Sequence, residues 1–315
     1  MTLYRMVISP EAPVASKLQS DTLFGAFCWA WLRCFGQQSL EEDIITPSLC
    51  HEPPVIFSNV FPHDALPLPL GCYDKGTRFE TITDKSERRK AYQRGKKLKN
   101  TRFVSLEAFE RIRSGNWYGF SDSLVDDQGE SNNTLHNMVS RESGTVENID
   151  GAGGLFSLER RFFRRGQQLD CYVFSSLTED VLKKVLALML ALGIGADKSS
   201  GCGVFRLEEF TSADRLAQIP ADTNAVMMLS NFLPAKGNPT DGWYQILPKY
   251  SKLDRELASE EYPFKKPLLF IKAGSTFRVK SPDPWYGRCV TGITAVDVPV
   301  TVCGCAVALA IKIPE

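Results

Sequence analysis

LGIGADKSSGCGVF, residues Leu192 to Phe205, is the stretch whose reading decides the fold of this 315-residue chain. It carries four glycines, Gly193, Gly195, Gly201 and Gly203, around Asp197, Lys198, Ser199 and Ser200. Upstream, 177–192 is rich in Leu, Val, Ala and Met and predicts one buried helix. Downstream, residues 203–210 (GVFRLEEF) alternate and predict a strand. The order helix, glycine loop, strand excludes two common phosphate sites. A dinucleotide fingerprint needs its glycines between a strand and a following helix, and a P-loop needs GxxxxGK before a helix. Here the loop follows a helix C-terminus, where the macrodipole repels anions. An anion would therefore bind through successive loop amides, helped by Lys198 and the hydroxyls of Ser199 and Ser200. Glycines also let a large backbone such as RNA approach closely. The competing reading is a C-cap at Gly193 with a turn behind it, which needs only one or two glycines.

The bulk composition is that of a globular chain, with 43% hydrophobic and 23% charged residues. Lys plus Arg equals Asp plus Glu at 37 each, so net charge offers nothing to a nucleic acid and any such binding rests on local patches. No apolar run reaches the length of a membrane span. The N-terminus reads as a first strand and not as a signal peptide. Nine cysteines without a CxxC read as reduced core thiols of a cytoplasmic protein. The histidines, His51, His63 and His136, show no ligand spacing, so neither a metal nor a cofactor is expected.

Along the chain, 3–9 predicts a strand, and Ser20 or Asp21 predicts the cap of a helix through Phe35. Residues 47–72 hold six prolines and read as irregular surface chain. Between Lys85 and Arg102 nine basic residues face only Glu87: a solvated loop, or an arm for phosphates. A short helix is expected over 104–112, and 122–133 is polar enough to read as a loose connection. Arg141 can fork onto phosphate or stack on a base, or it can pair on the surface with Glu142 or Glu147. Residues 155–166 mix arginines with aromatics, which suits RNA, a partner subunit or an exposed hairpin face. Residues 169–175 (LDCYVFS) predict a strand. The sum is β-α-β-β-α-β, the ferredoxin-like or RRM-like order, with a long insertion between its middle strands. After a polar linker, strands are expected at 225–233, 242–247, 268–279 and 298–313. The fold class expected is therefore α+β: two ferredoxin-like (RRM-like) domains, 1–212 with an insertion or arm over about 47–165, and 222–315.

No catalytic constellation emerges: GxSxG, HExxH and paired acids at useful spacing are absent. His136 alone could be a general base for RNA cleavage.

The loop 193–205 resembles the glycine-rich loop of the RAMP superfamily, the RNA-binding proteins of CRISPR effector complexes. Three further stretches narrow the likeness: 20–29 (SDTLFGAFCW), 136–145 (HNMVSRESGT) and 266–277 (KPLLFIKAGSTF). Together they resemble the fourth-subunit family of Csm (type III-A) complexes. That resemblance implies a non-catalytic subunit holding the 5′ tag of the CRISPR RNA. It implies contact with the large Cas10-type subunit on one side and a backbone RAMP subunit on the other. The RNA-binding positions it carries over are Ser20, Asp21, Arg141, Gly195, Lys198, Ser199, Ser200, Gly201 and Gly203. The family's projecting arm corresponds to part of 75–145. Cys202-Gly203-Val204 departs from the aromatic and basic residues commoner there. The alternative within the superfamily is a repeat-RNA endoribonuclease using His136.

Overall fold

The computed structural model describes residues 1–71, 84–89, 102–117, 120, 123–126, 129–137, 139, 143–146, 154–253, 263–294 and 300–313. The first part of the chain runs β1 (Thr2–Pro10), α1 (Ser20–Ser39), α2 (Thr46–Leu49), β2 (Val55–Pro62), β3 (Ala65–Pro67), β4 (Phe103–Ser105), α3 (Leu106–Arg113) and β5 (Leu124–Val125). Then come β6 (Glu130–Asn137), β7 (Leu155–Phe162), β8 (Leu169–Ser175), α4 (Glu179–Leu192), β9 (Phe205–Ser212) and α5 (Asp214–Ala217). The remainder is β10 (Ala225–Met228), β11 (Gly242–Trp243), β12 (Ile246–Lys249), β13 (Leu268–Ile271), β14 (Thr276–Arg278), β15 (Trp285–Val290) and β16 (Val302–Ile311).

The first sheet has the order β2-β8-β1-β9, antiparallel throughout. With the segment between β2 and β8 set aside, this is the β-α-β-β-α-β order expected from the sequence. Helix α4 buries Leu182, Val185, Leu186, Met189 and Leu190, a spacing that draws one apolar stripe along an α-helix. Helix α1 buries Leu23, Phe24, Phe27, Ala30 and Trp31 and lies against α4 and β2, with the Phe27 and Phe57 rings 5.5 Å apart. It runs beyond the predicted Phe35, through a kink at Gly36 (φ 85°), into a π-helical turn at Leu40–Ile45.

Two stretches read as irregular are ordered strands. The proline-rich tract contains β2, because Pro53 and Pro54 precede the strand and Pro62 ends it. Pairing with β8 alone leaves β2 at the sheet edge, where proline is tolerated. The polar residues 130–133 belong to β6, which pairs with β7 in a two-stranded hairpin.

The second sheet has the order β11-β14-β10-β16-β15, and no helix lies between 225 and 313 among the described residues. All ten residues of β16 are buried. Cys303, Cys305, Val307, Leu309 and Ile311 join the core that holds α1, α4 and the first sheet. Ala306 and Ala308 face the other way, onto Phe232, Phe277 and Tyr286. One core thus runs across both halves of the chain.

The insertion helps to close that core. Val104, Ala108, Phe109, Ile112, Trp117 and Phe120 are buried in it. Arg113, 2% exposed, donates to the backbone carbonyls of Ala310, Arg215, Leu216 and Gln218. Burial draws its guanidinium pKa down, against the pull of Glu110. Trp117 donates to the Lys312 carbonyl at 2.9 Å, and the Lys312 amide donates to the Arg113 carbonyl at 2.9 Å. Asp170 on β8 is fully buried and accepts from Arg5 (2.6 Å), the Asp64 amide (2.9 Å) and His63 (2.9 Å), so its lone pairs are engaged within the protein.

Candidate nucleic-acid interface

Three segments meet at one end of the first sheet: the chain after β1, the base of the β6–β7 hairpin and the glycine loop. The hairpin is fixed by reciprocal backbone bonds between Val14 and Arg161, at 2.9 and 2.8 Å. The loop is fixed by the Gly203 amide on the Pro13 carbonyl (2.8 Å) and the Ala196 amide on Ser16 Oγ (2.8 Å). An ion pair between Arg160 and Asp197 joins hairpin and loop. Partial burial pushes the Asp197 carboxyl upward, but Ser200 and Arg160 outweigh it and hold it below the usual carboxylate range.

Part of the loop's backbone is already bonded within the protein. The Ile194 amide goes to the Gly203 carbonyl (2.8 Å), Cys202 to Asp197 (3.2 Å), Ser200 to Asp197 (3.1 Å) and Gly201 to Lys198 (2.9 Å). A backbone that reverses direction within a few residues satisfies its own donors. Gly203 is required for a close approach: a Cβ there would lie 2.1 Å from the Ile194 carbonyl oxygen. A Cβ at Gly195 would lie 2.7 Å from that of Ser16. Gly201 differs, because nothing lies within 4 Å of its Cβ position, although its φ is +81°. Outward from this frame the loop presents Ser199, Ser200 and Gly201, all exposed, with Lys198 half-buried beside them. Lys17, Arg164 and Arg165 are exposed on the neighbouring segments.

Ser20 and Asp21 lie elsewhere. Neither side chain caps α1, whose N-cap is Gln19. Ser20 is buried; its amide donates to Asn59 Oδ1 (2.9 Å) and its hydroxyl to the Asn231 carbonyl (3.2 Å). Asp21 pairs with Lys249 of β12 at 2.6 Å, and Lys249 also reaches Gln19 at 2.9 Å. Both residues tie the seam between the two halves. Lys249→Met leaves the 9%-exposed Asp21 carboxylate without its cation and is expected to lower stability by about 2 kcal/mol in urea titrations.

Arg141 and most of the basic tract, 90–101, lie outside the described residues; Lys85, Arg88 and Arg89 sit on one exposed helical turn at 85–89. His136 is on β6, bonded to Thr134 Oγ1 at 2.9 Å and stacked on Phe156, and no carboxylate orients it among the described residues. The hairpin around it exposes Leu135 (75%), Leu155, Phe156 and Phe162. Apolar side chains displayed on a two-stranded ribbon are typical of a contact surface. A cleft of about 580 Å³, lined by His51, Lys236, Asn238, Asp283, Trp285 and Arg288, shares no residue with the glycine loop. Among the described residues no helix is long and apolar enough to cross a membrane.

The sequence profile of the RAMP superfamily matches residues 16–206. No curated protein matches the sequence. Among solved structures, the chain is similar to one in the crystal structure of a Csm1-Csm4 cassette in complex with pppApA, at 19% identity, 99% of each chain and a TM-score of 0.63. In the cassette with AMPPNP the figures are 21%, 99% of each chain and 0.62. For a Csm3-Csm4 subcomplex of a type III-A CRISPR-Cas interference complex they are 14%, 99% of this chain, 100% of that one and 0.58. At such identities the likeness is one of fold. The profile match takes in α1, the hairpin and the glycine loop in one run, so the family follows from the elements that build this interface: the chain belongs to the RAMP superfamily.

Proposed function

We propose that this chain is the fourth-subunit member of a type III-A (Csm) effector complex, a non-catalytic, cytoplasmic subunit that holds the 5′ tag of the CRISPR RNA. It bridges the Cas10-type subunit to the backbone RAMP subunits, a role supported by fold neighbours in Csm1-Csm4 and Csm3-Csm4 assemblies. We read its halves as two ferredoxin-like units, 1–212 and 222–315, the second covered by α1 and the insertion and not by helices of its own. The observation that carries the reading is the convergence of the glycine loop, the segment 13–17 and the hairpin base, with Lys17, Lys198, Arg164 and Arg165 around them. Cations grouped on a rigid frame can grip phosphates although the whole chain is neutral. RNA in this reading meets side chains and the open face of Gly201. The apolar hairpin supplies stacking or partner contact. In this reading His136, bonded to Thr134 and stacked on Phe156, belongs to the hairpin's contact face.

The test is binding of the full chain to tag-bearing single-stranded RNA across a salt series. Lys198→Glu is expected to weaken binding about tenfold and to reduce the slope of log K against log salt by about one. Wild-type binding indifferent to salt, or unchanged in Lys198→Glu and in Arg164→Glu/Arg165→Glu alike, would sink the proposal.

A further inference from the structure

The β15–β16 hairpin places three thiols together that spacing along the chain does not reveal. Cys289 sits directly opposite Cys303, and Cys305 follows two residues later on the same face. Their sulfurs all lie within 4.8 Å of one another, with Cys289 and Cys305 at 3.9 Å. A tetrahedral zinc with Zn–S bonds of about 2.3 Å sets its sulfurs about 3.8 Å apart. The cluster points into the main core, where β16 packs against α1; Cys28 of α1 packs on that core, outside the group of three sulfurs. Cys303 and Cys305 are buried.

We propose that Cys289, Cys303 and Cys305, closed by Cys28, form a structural zinc site that ties the β15–β16 hairpin to α1. Four sulfurs of this softness select zinc over magnesium or calcium, and a closed set with no open position serves structure and not catalysis. On binding, the thiols that are still protonated release their protons to solvent, as metal ligation by cysteine requires. His51 follows α2, which packs on β15, and is exposed, so it is the poorer fourth ligand.

The full chain, purified under reducing conditions, is expected to carry about one zinc per molecule by elemental analysis. Thiol-specific release with a mercurial, followed by a chelator, lowers its melting temperature by about 5 °C. Cobalt substituted for zinc shows thiolate-to-metal charge transfer and four-coordinate d–d bands. Cys303→Ser and Cys305→Ser lose the metal, whereas Cys34→Ser and Cys50→Ser keep it. Less than about a tenth of an equivalent of zinc in the wild type would overturn the site, whatever the variants do. So would a Cys289 disulfide in reduced preparations. Metal lost in His51→Ala and kept in Cys28→Ser would overturn the closure by α1. None of these readouts involves RNA, so the site is tested independently of RNA binding.

Discussion

Gly203→Ala is expected to cost about 4 kcal/mol of stability, close to the limit that one loop position can exact. Two penalties add there. A φ of +76° costs an L residue about 1 to 2 kcal/mol by itself. The new Cβ would also lie 2.1 Å from the Ile194 carbonyl oxygen and 2.9 Å from its nitrogen, so the strand entering β9 must pull away from the end of α4. That movement breaks the Gly203-to-Pro13 bond and the Ile194-to-Gly203 bond, loosening the loop from the segment after β1. Gly201→Ala is the control. It has a φ of +81° with open space around it and is expected to cost only about 1 kcal/mol. Denaturant midpoints measured on both variants decide the matter. Equal losses would mean that the close approach at Gly203 does not constrain the loop.

Arg113→Met is expected to be as severe, at about 4 kcal/mol, and for a different reason. Methionine fills much of the same volume, so the loss is not a cavity. What disappears is the donor set for the carbonyls of Ala310, Arg215, Leu216 and Gln218, at least two of them reached through fully buried bonds. Each unsatisfied buried acceptor costs about 1 to 3 kcal/mol, offset here by removing a buried charge. Because Arg113 joins the insertion to both β16 and the 214–218 turn, limited proteolysis should cut the Arg113→Met chain between the halves before either half unfolds. A loss below about 1 kcal/mol would show that α3 rests on apolar packing alone.

The sequence carried the elements whose signal is local. Helix α4 follows from apolar residues spaced along one stripe, β8 from a run of strand formers, and the helix–loop–strand order around Gly193 to Gly203 from backbone chemistry. That order excluded the nucleotide-binding loops before any coordinate was known. The same local signals misled at 130–133, where polar residues form a strand because β7 offers a partner. They misled again in the proline-rich tract, where β2 fits between its prolines.

Which groups stay open to a ligand was a question of partners far along the chain. Asp21 does not cap α1; Lys249, remote in sequence, pairs with it. Several loop amides are taken by Pro13, Ser16 and the loop's own carbonyls. Cys289, Cys303 and Cys305 show no ligand spacing, because cross-strand pairing and not chain distance brings their sulfurs together. Residue types and their periods determine which segments become helix or strand, since those energies are paid out within a few positions. Occupancy of a hydroxyl, an amide or a thiol depends on what the fold sets beside it, and a linear sequence holds no local trace of that neighbour.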